Sequence, residues 1–491
     1  MERMGRWLIS ALLGCLVLSV SGCRTEETPE EEPLAPASAA ADNALLDETF
    51  HIDIRDVQVT FDYFPAENRV DARARLEFVV RAGQTLARFH FTPLLDQPAS
   101  VSEILLDGER LAYPGGADGR IVTVSGSSQR ILELQRPLLG QGLHTLEVAY
   151  RLDLSGEYPL FSTAVNDLEG RGNEELFPTL NSPAELACHR LTLRVHGDRP
   201  FRCIGSGRVT RQDDGAVQQW LLDSERELAS YTVMFALLPE DGSVLEERTI
   251  DGVPVRILAF QGGASVETAF ARLQTWLPQL QSELGPYPAP PGLSVFLVSE
   301  GGGMEYYGGT ITSLYALRHE VLHGYFGCSV VMKTYRDSWL DEALTEWYDD
   351  TAGGTVYQAI PDAYVGNWVG AYSPVAVGYS LLAYTDGARI MQHLCDSLGG
   401  REGMRRFLAG VYEGHRFQPF TTMEFVSLLR DFSGIDYQGR FEDWLYGGQT
   451  QGAAAPPADP RRKRPDLTPP RALREREAAR RGPQPSDGPE G

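Results

Sequence analysis

Residues 319–323 read HEVLH, and Glu342 stands nineteen positions after the second histidine. On an α-helix, residues four positions apart lie on the same face, so His319 and His323 can direct both imidazoles at one metal ion. Zinc hydrolases use this spacing to bind their metal and to place a glutamate beside it. The pattern predicts that His319, His323 and Glu342 bind one Zn²⁺ ion and leave a fourth position open for water.

Glu320 lies between the two histidines and is the predicted general base that takes a proton from the attacking water. Its neighbours Val321 and Leu322 are apolar, which indicates a largely buried helix. Buried imidazoles and carboxylates need partners, and a metal ion supplies one. Glu346 stands one helical turn beyond Glu342 and is a rival ligand, although the spacing to the histidines favours Glu342.

The chain begins with a pattern that is typical of export. A positively charged start precedes an apolar stretch over 7–20, which is too short to span a membrane. This stretch ends in VSGC, which resembles a bacterial lipobox. Residues 1–22 are therefore predicted to be a lipoprotein signal peptide and Cys23 the lipid-modified first residue of the mature chain. An ordinary secretory signal is the alternative.

The predicted location follows from this signal and from the charge. Residue 24 is arginine rather than aspartate, so nothing in the signal indicates retention in the inner membrane. We expect an exported, membrane-anchored bacterial lipoprotein, in the periplasm or at the cell surface, on the outer membrane. The formal net charge of −23 argues against nucleic acid as a partner, because the phosphates would be repelled.

Three further segments follow the signal. Residues 23–47 are acidic and rich in Pro and Ala, and are predicted to be a disordered tether. Residues 48–243 form a predicted N-terminal β domain, a sandwich or saddle-shaped sheet. Its best strand signal is 70–80, where apolar and polar residues alternate, and further strands are expected at 144–154, 189–197 and 230–238. Cys188 and Cys203 could meet across neighbouring strands.

Residues 244–448 are predicted to form the catalytic domain, which makes the fold multi-domain α+β. A strand at 252–260 precedes an amphipathic helix at 265–284 that Pro278 interrupts, and a buried strand at 293–299 follows. Residues 449–491 are rich in Pro, Arg and Gly, and are predicted to be a disordered tail. A polyanion-binding role for the RRKR run at 461–464 is the alternative.

Several motifs around the HEVLH segment occur together in one known family. They are GGGMEYY at 301–307, YTDGA at 384–388, FPTLNSP at 177–183 and FEDWLYGG at 441–448. With the spacing to Glu342, they resemble the aminopeptidase N family of zinc metallopeptidases (gluzincin aminopeptidases) over residues 48–448. The chain resembles a short form that lacks the family's C-terminal domains. The resemblance implies a β-rich domain followed by a thermolysin-like α/β zinc catalytic domain.

The resemblance also implies roles for residues near the metal. GGGMEYY is similar to the family's GxMEN motif, with Tyr306 in place of the usual Asn. It implies that Glu305 binds the free α-amine of the substrate, while Gly303 and Met304 supply the strand edge along which the substrate lies. Only thirteen residues separate Glu305 from His319, fewer than in many members.

Two further roles depend on the same resemblance. Tyr384 in YTDGA is implied to donate a hydrogen bond to the oxyanion of the reaction, with Tyr372 and Tyr379 as rival candidates. Asp337 matches an acidic position of the family and is implied to orient a ligand histidine from behind.

Together these features predict a zinc-dependent aminopeptidase that hydrolyses N-terminal residues from peptides with free N-termini. A thermolysin-like endopeptidase is the first alternative, because it would use the same ligands without the amine anchor. The second is a noncatalytic envelope lipoprotein whose β domain binds a partner.

Overall fold

The computed structural model describes most of residues 52–481. The described ranges are 52–80, 86–91, 101–111, 119–123, 130–135, 140–154, 158–163, 173–180, 184–334, 337–361, 381–446 and 467–481. The predictions for 1–22, for 23–47 and for lipid attachment at Cys23 therefore lie outside the described residues. No helix in the described ranges has both the length and the apolarity to cross a membrane.

The N-terminal part is rich in sheet. An eight-stranded sheet has the order β12-β13-β10-β1-β2-β8-β4-β5, and two three-stranded sheets have the orders β11-β14-β9 and β3-β7-β6. The strands are β1 Ile52–Phe64, β2 Arg69–Val80, β3 Leu86–His90, β4 Val101–Leu106, β5 Glu109–Arg110, β6 Gly119–Thr123, β7 Arg130–Gln135, β8 Gly142–Asp153, β9 Phe161–Ser162, β10 Leu186–Val195, β11 Phe201–Gly205, β12 Arg208–Arg211, β13 Gln218–Ala229 and β14 Phe235–Pro239.

Alternation of apolar and polar residues forms these strands, as the sequence predicts. In β2, Val70, Leu76 and Phe78 are fully buried, while the polar residues that alternate with the apolar ones are partly or fully exposed. The predicted strands at 144–154 and 189–197 are confirmed as β8 and β10. The strand predicted at 230–238 is wrong in its first half, because Ser230–Thr232 form a 3₁₀ turn and β14 begins only at Phe235. The suggested pairing of Cys188 with Cys203 is also wrong, since the Cys203 thiol is free.

The C-terminal part, which the sequence predicts to be catalytic and which we call the catalytic part, is a five-stranded sheet with helices. The sheet order is β15-β16-β17-β19-β18, so β18 is an edge strand, antiparallel to β19. The strands are β15 Ser243–Ile250, β16 Val253–Phe260, β17 Leu293–Val298, β18 Gly303–Tyr306, β19 Gly309–Ser313, β20 Val331–Met332 and β21 Pro419–Phe420. The helices are α1 Val266–Leu284, α2 Leu317–His323, α3 Trp339–Ala352, α4 Leu381–Ser397, α5 Arg401–His415, α6 Thr422–Ser433, α7 Gln438–Tyr446 and α8 Arg471–Arg481.

The predicted helix at 265–284 is confirmed as α1. The Ser265 side chain accepts a hydrogen bond from the backbone N–H of Thr268, which satisfies a donor at the helix start. Pro278 does not end the helix, which continues to Leu284. The apolar stripe that includes Phe270, Leu273 and Leu277 is fully buried, so burial of this stripe offsets the cost of the internal proline.

An apolar cluster joins the two parts of the chain, and we call it the interdomain core. Its members come from one face of the catalytic sheet, from the β9–β14 region of the N-terminal part and from α8. They are Tyr158, Leu160, Ile204, Met234, Ala236, Leu238, Leu258, Phe260, Phe296, Val298, Tyr306, Ile311 and Leu473.

The presence of Leu473 in this core corrects a prediction. The expected disordered tail over 449–491 is wrong for residues 467–481, where α8 docks on the domain junction. Arg199 Nη1 lies 2.6 Å from Glu477 Oε2, and Arg480 Nη2 lies 2.5 Å from Asp241 Oδ2. Composition suggested disorder because α8 has few apolar residues. One buried leucine and a set of cross-domain ion pairs nevertheless hold the helix in place.

We predict that Leu473→Ala lowers the free energy of unfolding by about 2 kcal/mol or more, because it leaves a cavity in the interdomain core. Chemical denaturation checks this value. Leu143→Ala is the control, since Leu143 is 63% exposed and its loss should change stability by less than about 0.5 kcal/mol. Equal effects of the two substitutions would show that α8 does not dock as described.

Candidate metal centre and active site

Two helices position the predicted metal ligands. Helix α2 carries His319, Glu320 and His323, and every residue of this helix is buried. Helix α3 packs beside it and carries Glu342 in its first turn. The two imidazoles and the Glu342 carboxylate form a group whose ligand atoms all lie within 4.8 Å of one another. The structure therefore brings together the three residues that the spacing of the sequence selected.

The distances within this group fit a tetrahedral metal ion. The Nε2 atoms of His319 and His323 are 3.1 Å apart, and Glu342 Oε2 lies 3.4 Å from each of them. Ligand atoms bonded to zinc at about 2.0–2.1 Å in a tetrahedron are themselves roughly 3.3–3.4 Å apart. A zinc ion placed between the three atoms would therefore reach each at a normal bond length.

The hydrogen bonding of the Glu342 carboxylate also suits a bound metal ion. Its Oε1 accepts a hydrogen bond of 2.5 Å from the Tyr384 hydroxyl. Its Oε2 is buried and receives no hydrogen bond from any described residue. A buried carboxylate oxygen without a donor is costly, and a cation at this point removes the cost.

Asp341, rather than Asp337, contacts one of the histidines that are predicted to bind the metal. Asp341 Oδ1 lies 2.6 Å from His323 Nδ1, so this N–H donates a hydrogen bond to the carboxylate and Nε2 keeps a lone pair for a metal ion. Gly327 leaves room for the carboxylate, because an added Cβ there would lie 2.3 Å from Asp341 Oδ2. The sequence signal for Asp341 was its position beside Glu342 on a buried helix.

The role implied for Asp337 is corrected accordingly. Its Oδ2 accepts a hydrogen bond of 2.7 Å from the Thr334 hydroxyl, and its Oδ1 accepts one of 2.8 Å from the backbone N–H of Thr422. One carboxylate oxygen thus stabilises the segment before α3, and the other joins this segment to the start of α6. Asp337 supports the packing of these helices and contacts no imidazole of the described residues.

Glu346 is not part of the ligand triangle and lies on the far side of the His319 imidazole. It lies one turn after Glu342 on α3, and its Oε2 is 3.8 Å from His319 Nδ1. This is the side of the imidazole that faces away from the predicted metal, and the distance is too long for a direct hydrogen bond. The choice of Glu342 over Glu346 as ligand agrees with this geometry.

Several buried carboxyl groups surround the triangle of ligands. Burial raises the pKa of Glu320 well above its usual range, and the carboxylates of Glu305 and Glu342 raise it further. Burial likewise raises the pKa of Glu305 to about 7, with Asp341 and Glu342 adding to the effect. A divalent cation among these groups would favour their charged forms, which is a further reason why the site suits a metal.

Strand β18 places the remaining predicted residues. Glu305 is half-buried and forms a second metal-capable group with His323 and Asp341, so its carboxylate lies beside the ligands. Met304 points to the other face of the sheet and packs against the interdomain core. The link from Glu305 to His319 is short because β18 and β19 form a hairpin and α2 starts four residues after β19 ends.

Tyr384 lies on α4 at the edge of the ligand triangle. Besides its hydrogen bond to Glu342, its ring is nearly parallel to that of His319, with centroids 6.5 Å apart. A hydroxyl in this position can donate to an oxygen that approaches the metal. The rival candidates Tyr372 and Tyr379 lie outside the described residues.

Comparisons with known proteins give structural likeness only. No protein-family model matches this sequence, and no curated protein matches it. Solved structures do match. An M1 zinc metallopeptidase from Deinococcus radiodurans is 18% identical, with a TM-score of 0.57, covering 83% of this chain and 97% of its own. A mutant of the same enzyme bound to a Tyr-Ser-Ala substrate matches with a TM-score of 0.58 over the same shares of the two chains.

A second relative in structure is more distant in sequence. Native yeast LTA4 hydrolase is 13% identical, with a TM-score of 0.59, and the match covers 83% of this chain and 69% of that one. Matches of this kind span both the sheet-rich N-terminal part and the helical C-terminal part. The chain therefore has the two-domain fold of the M1 zinc metallopeptidases.

Proposed function

We propose that this protein is a zinc-dependent aminopeptidase of the M1, or aminopeptidase N, family. The observation that carries the proposal is the convergence of His319, His323 and Glu342 at distances that suit one tetrahedral Zn²⁺ ion. The structural likeness to M1 metallopeptidases supports it. In this proposal the catalytic part is a thermolysin-like domain.

In the proposed reaction, each residue around the metal has its own role in peptide hydrolysis. A zinc ion held by the three ligands would polarise the scissile carbonyl and lower the pKa of a water molecule. In this proposal Glu320 takes a proton from the attacking water and returns it to the nitrogen that leaves as an amine. The Tyr384 hydroxyl donates to the carbonyl oxygen as negative charge develops on it. Water is thus added across one peptide bond.

Glu305 gives the proposed enzyme its preference for chain ends. A half-buried carboxylate beside the ligands pairs with a substrate ammonium in a charge-assisted hydrogen bond. A peptide whose amine is blocked leaves this carboxylate without its partner, which penalises binding. Gly303 and Met304 supply the backbone of the unpaired edge of β18, along which an extended peptide adds as a further strand.

We further propose that the protein acts outside the cytoplasm as a lipoprotein anchored through Cys23. The lipobox-like VSGC sequence supports this. In a bacterial host, Cys23→Ser should abolish incorporation of labelled palmitate and move the protein from the membrane fraction to the soluble exported fraction. Unchanged labelling in Cys23→Ser would overturn the proposal.

Metal affinity should distinguish Asp341 from Asp337. We predict that Asp341→Ala weakens Zn²⁺ binding about 10–100-fold, because His323 loses the carboxylate that fixes its tautomer. Competition with a chelating dye measures this affinity without any substrate. Asp337→Ala is the matched control and should lower thermal stability while leaving Zn²⁺ affinity within about threefold, since Asp337 touches no imidazole. Equal losses of affinity in both variants would contradict the assignment.

A panel of fluorogenic aminoacyl substrates, with and without chelator, tests the proposed reaction. We expect hydrolysis that chelator abolishes, and loss of cleavage when the α-amine of a peptide is acetylated. Glu305→Gln should raise KM for free peptides about tenfold or more, because a charged partner of the ammonium is replaced by a neutral one. Equal cleavage of free and acetylated peptides would favour the endopeptidase alternative instead.

A further inference from the structure

The hydroxyl of Tyr231 links the N-terminal part to the loop that follows helix α2. Tyr231 lies in the 3₁₀ turn Ser230–Thr232, and its hydroxyl donates a hydrogen bond of 3.0 Å to Gly327 O. Gly327 stands shortly after His323, the last residue of α2, and the backbone N–H of Cys328 donates to His323 O at 3.0 Å. The hydrogen bond from Tyr231 therefore reaches a segment that is joined to the end of α2.

The turn that carries Tyr231 is held in place within the N-terminal part. Asn173 Nδ2 donates to Ser230 O at 2.6 Å and to Val233 O at 2.9 Å. The Ser230 hydroxyl lies 3.0 Å from His189 Nε2, and both of these residues are buried. Buried hydrogen bonds of this kind are costly to break, because the groups would be left without partners. Tyr231 therefore projects from a well-supported turn.

The backbone of Gly327 lies directly against the Asp341 carboxylate. Gly327 has a φ of 106°, which glycine adopts without strain, and an added Cβ there would lie 2.3 Å from Asp341 Oδ2. The other oxygen, Asp341 Oδ1, is 2.6 Å from His323 Nδ1. A shift of Gly327 would therefore change the position of the carboxylate that hydrogen-bonds to this imidazole.

A second contact from the same region supports the other end of the loop. Arg226, near the end of β13, stacks on Phe417, and its guanidinium carbon is 3.4 Å from the ring centroid. The backbone N–H of Phe417 donates to Ser329 O at 2.6 Å. Phe417 has a φ of 64°, a conformation that residues with a side chain adopt only when their surroundings hold them in it. The N-terminal part thus supports the loop at both Gly327 and Ser329.

The Tyr231 hydroxyl stays protonated in this position. Burial raises the pKa of Tyr231 well above its usual range, and the nearby Cys328, Asp341 and Glu305 side chains raise it further. A protonated hydroxyl donates to a carbonyl oxygen, whereas a phenolate has no proton to donate. The hydrogen bond to Gly327 O is therefore not lost through ionisation of Tyr231 near neutral pH.

We propose that Tyr231 is a positioning residue for the metal centre: its hydroxyl fixes Gly327, and Gly327 keeps the Asp341 carboxylate in place against His323. The consequence for metal binding rests on the proposed function, because it requires His323 to be a zinc ligand, whereas the contacts themselves do not. The N-terminal part thereby raises the affinity of a metal site to which it supplies no predicted ligand.

Zinc affinity, measured by competition with a chelating dye, tests this role. We expect Tyr231→Phe, which removes only the hydroxyl, to weaken Zn²⁺ binding roughly 3–10-fold, less than the loss of Asp341 itself. Tyr412→Phe is the matched control, because the Tyr412 hydroxyl also donates to a backbone oxygen, that of Pro286, at 2.8 Å. Both variants should lower Tm by roughly 1–4 °C, but Tyr412→Phe should leave Zn²⁺ affinity within about twofold. Equal zinc affinities in the two variants would overturn the proposal.

A double variant tests whether the effect passes through Asp341. In the Asp341→Ala background, Tyr231→Phe should change Zn²⁺ affinity by less than about twofold, because the carboxylate that Gly327 supports is gone. The same loss of affinity in both backgrounds would show that Tyr231 acts by another route, which would also overturn the proposal.

A measurement on zinc-free protein separates this proposal from the proposed function. In protein with isotope-labelled histidine, NMR follows the exchange with water of the proton on His323 Nδ1, which the buried Asp341 carboxylate protects. Tyr231→Phe should speed this exchange roughly 3–10-fold, and Tyr412→Phe should leave it unchanged.

Two outcomes distinguish the failure of one proposal from the failure of the other. If the wild-type protein cleaves no peptide while the exchange at His323 still depends on Tyr231, the proposed function fails and the positioning role stands. If the protein is an active aminopeptidase but Tyr231→Phe behaves like Tyr412→Phe in zinc affinity and in exchange, the positioning role is overturned and the proposed function stands.

Discussion

Helices α2 and α3 bring two imidazoles and several carboxylates together in a buried space, and this concentration of charge constrains the rest of the catalytic part. Burying so many ionisable groups is costly unless each has a hydrogen bond or a counter-charge. Asp341 accepts a hydrogen bond from His323 Nδ1, and the Tyr384 hydroxyl donates one to Glu342. The acceptor atoms that remain are Glu342 Oε2 and the two imidazole Nε2 atoms. A single divalent cation can bind all three.

The N-terminal part contributes to this site although none of its residues is a predicted ligand. Its turn Ser230–Thr232 lies against β18, and the Tyr231 hydroxyl donates to Gly327 O at 3.0 Å. Gly327 is the residue that leaves room for the Asp341 carboxylate. The interdomain core holds the opposite face of β18, so the position of Glu305 and Gly303 depends on both parts of the chain. Packing between the two parts of the chain therefore helps to fix the position of the site residues on β18.

The sequence predicted local features well where one physical rule dominates. The alternation of apolar and polar residues identified β2, and a single apolar stripe identified α1. Helical spacing identified His319 and His323. It failed where the outcome depends on partners far along the chain. Asp337 and Asp341 are both acidic residues near Glu342, and only the packing of α3 on α2 decides which one faces an imidazole. Helix α8 was missed because one leucine and cross-domain ion pairs, rather than composition, hold it.

The most direct test of this account is a crystal structure of zinc-loaded protein with anomalous data collected at the zinc absorption edge. The account predicts one strong peak within about 2.0–2.2 Å of His319 Nε2, His323 Nε2 and a Glu342 carboxylate oxygen. A peak at the Glu305, His323 and Asp341 group instead, or no bound zinc in any of these positions, would contradict it.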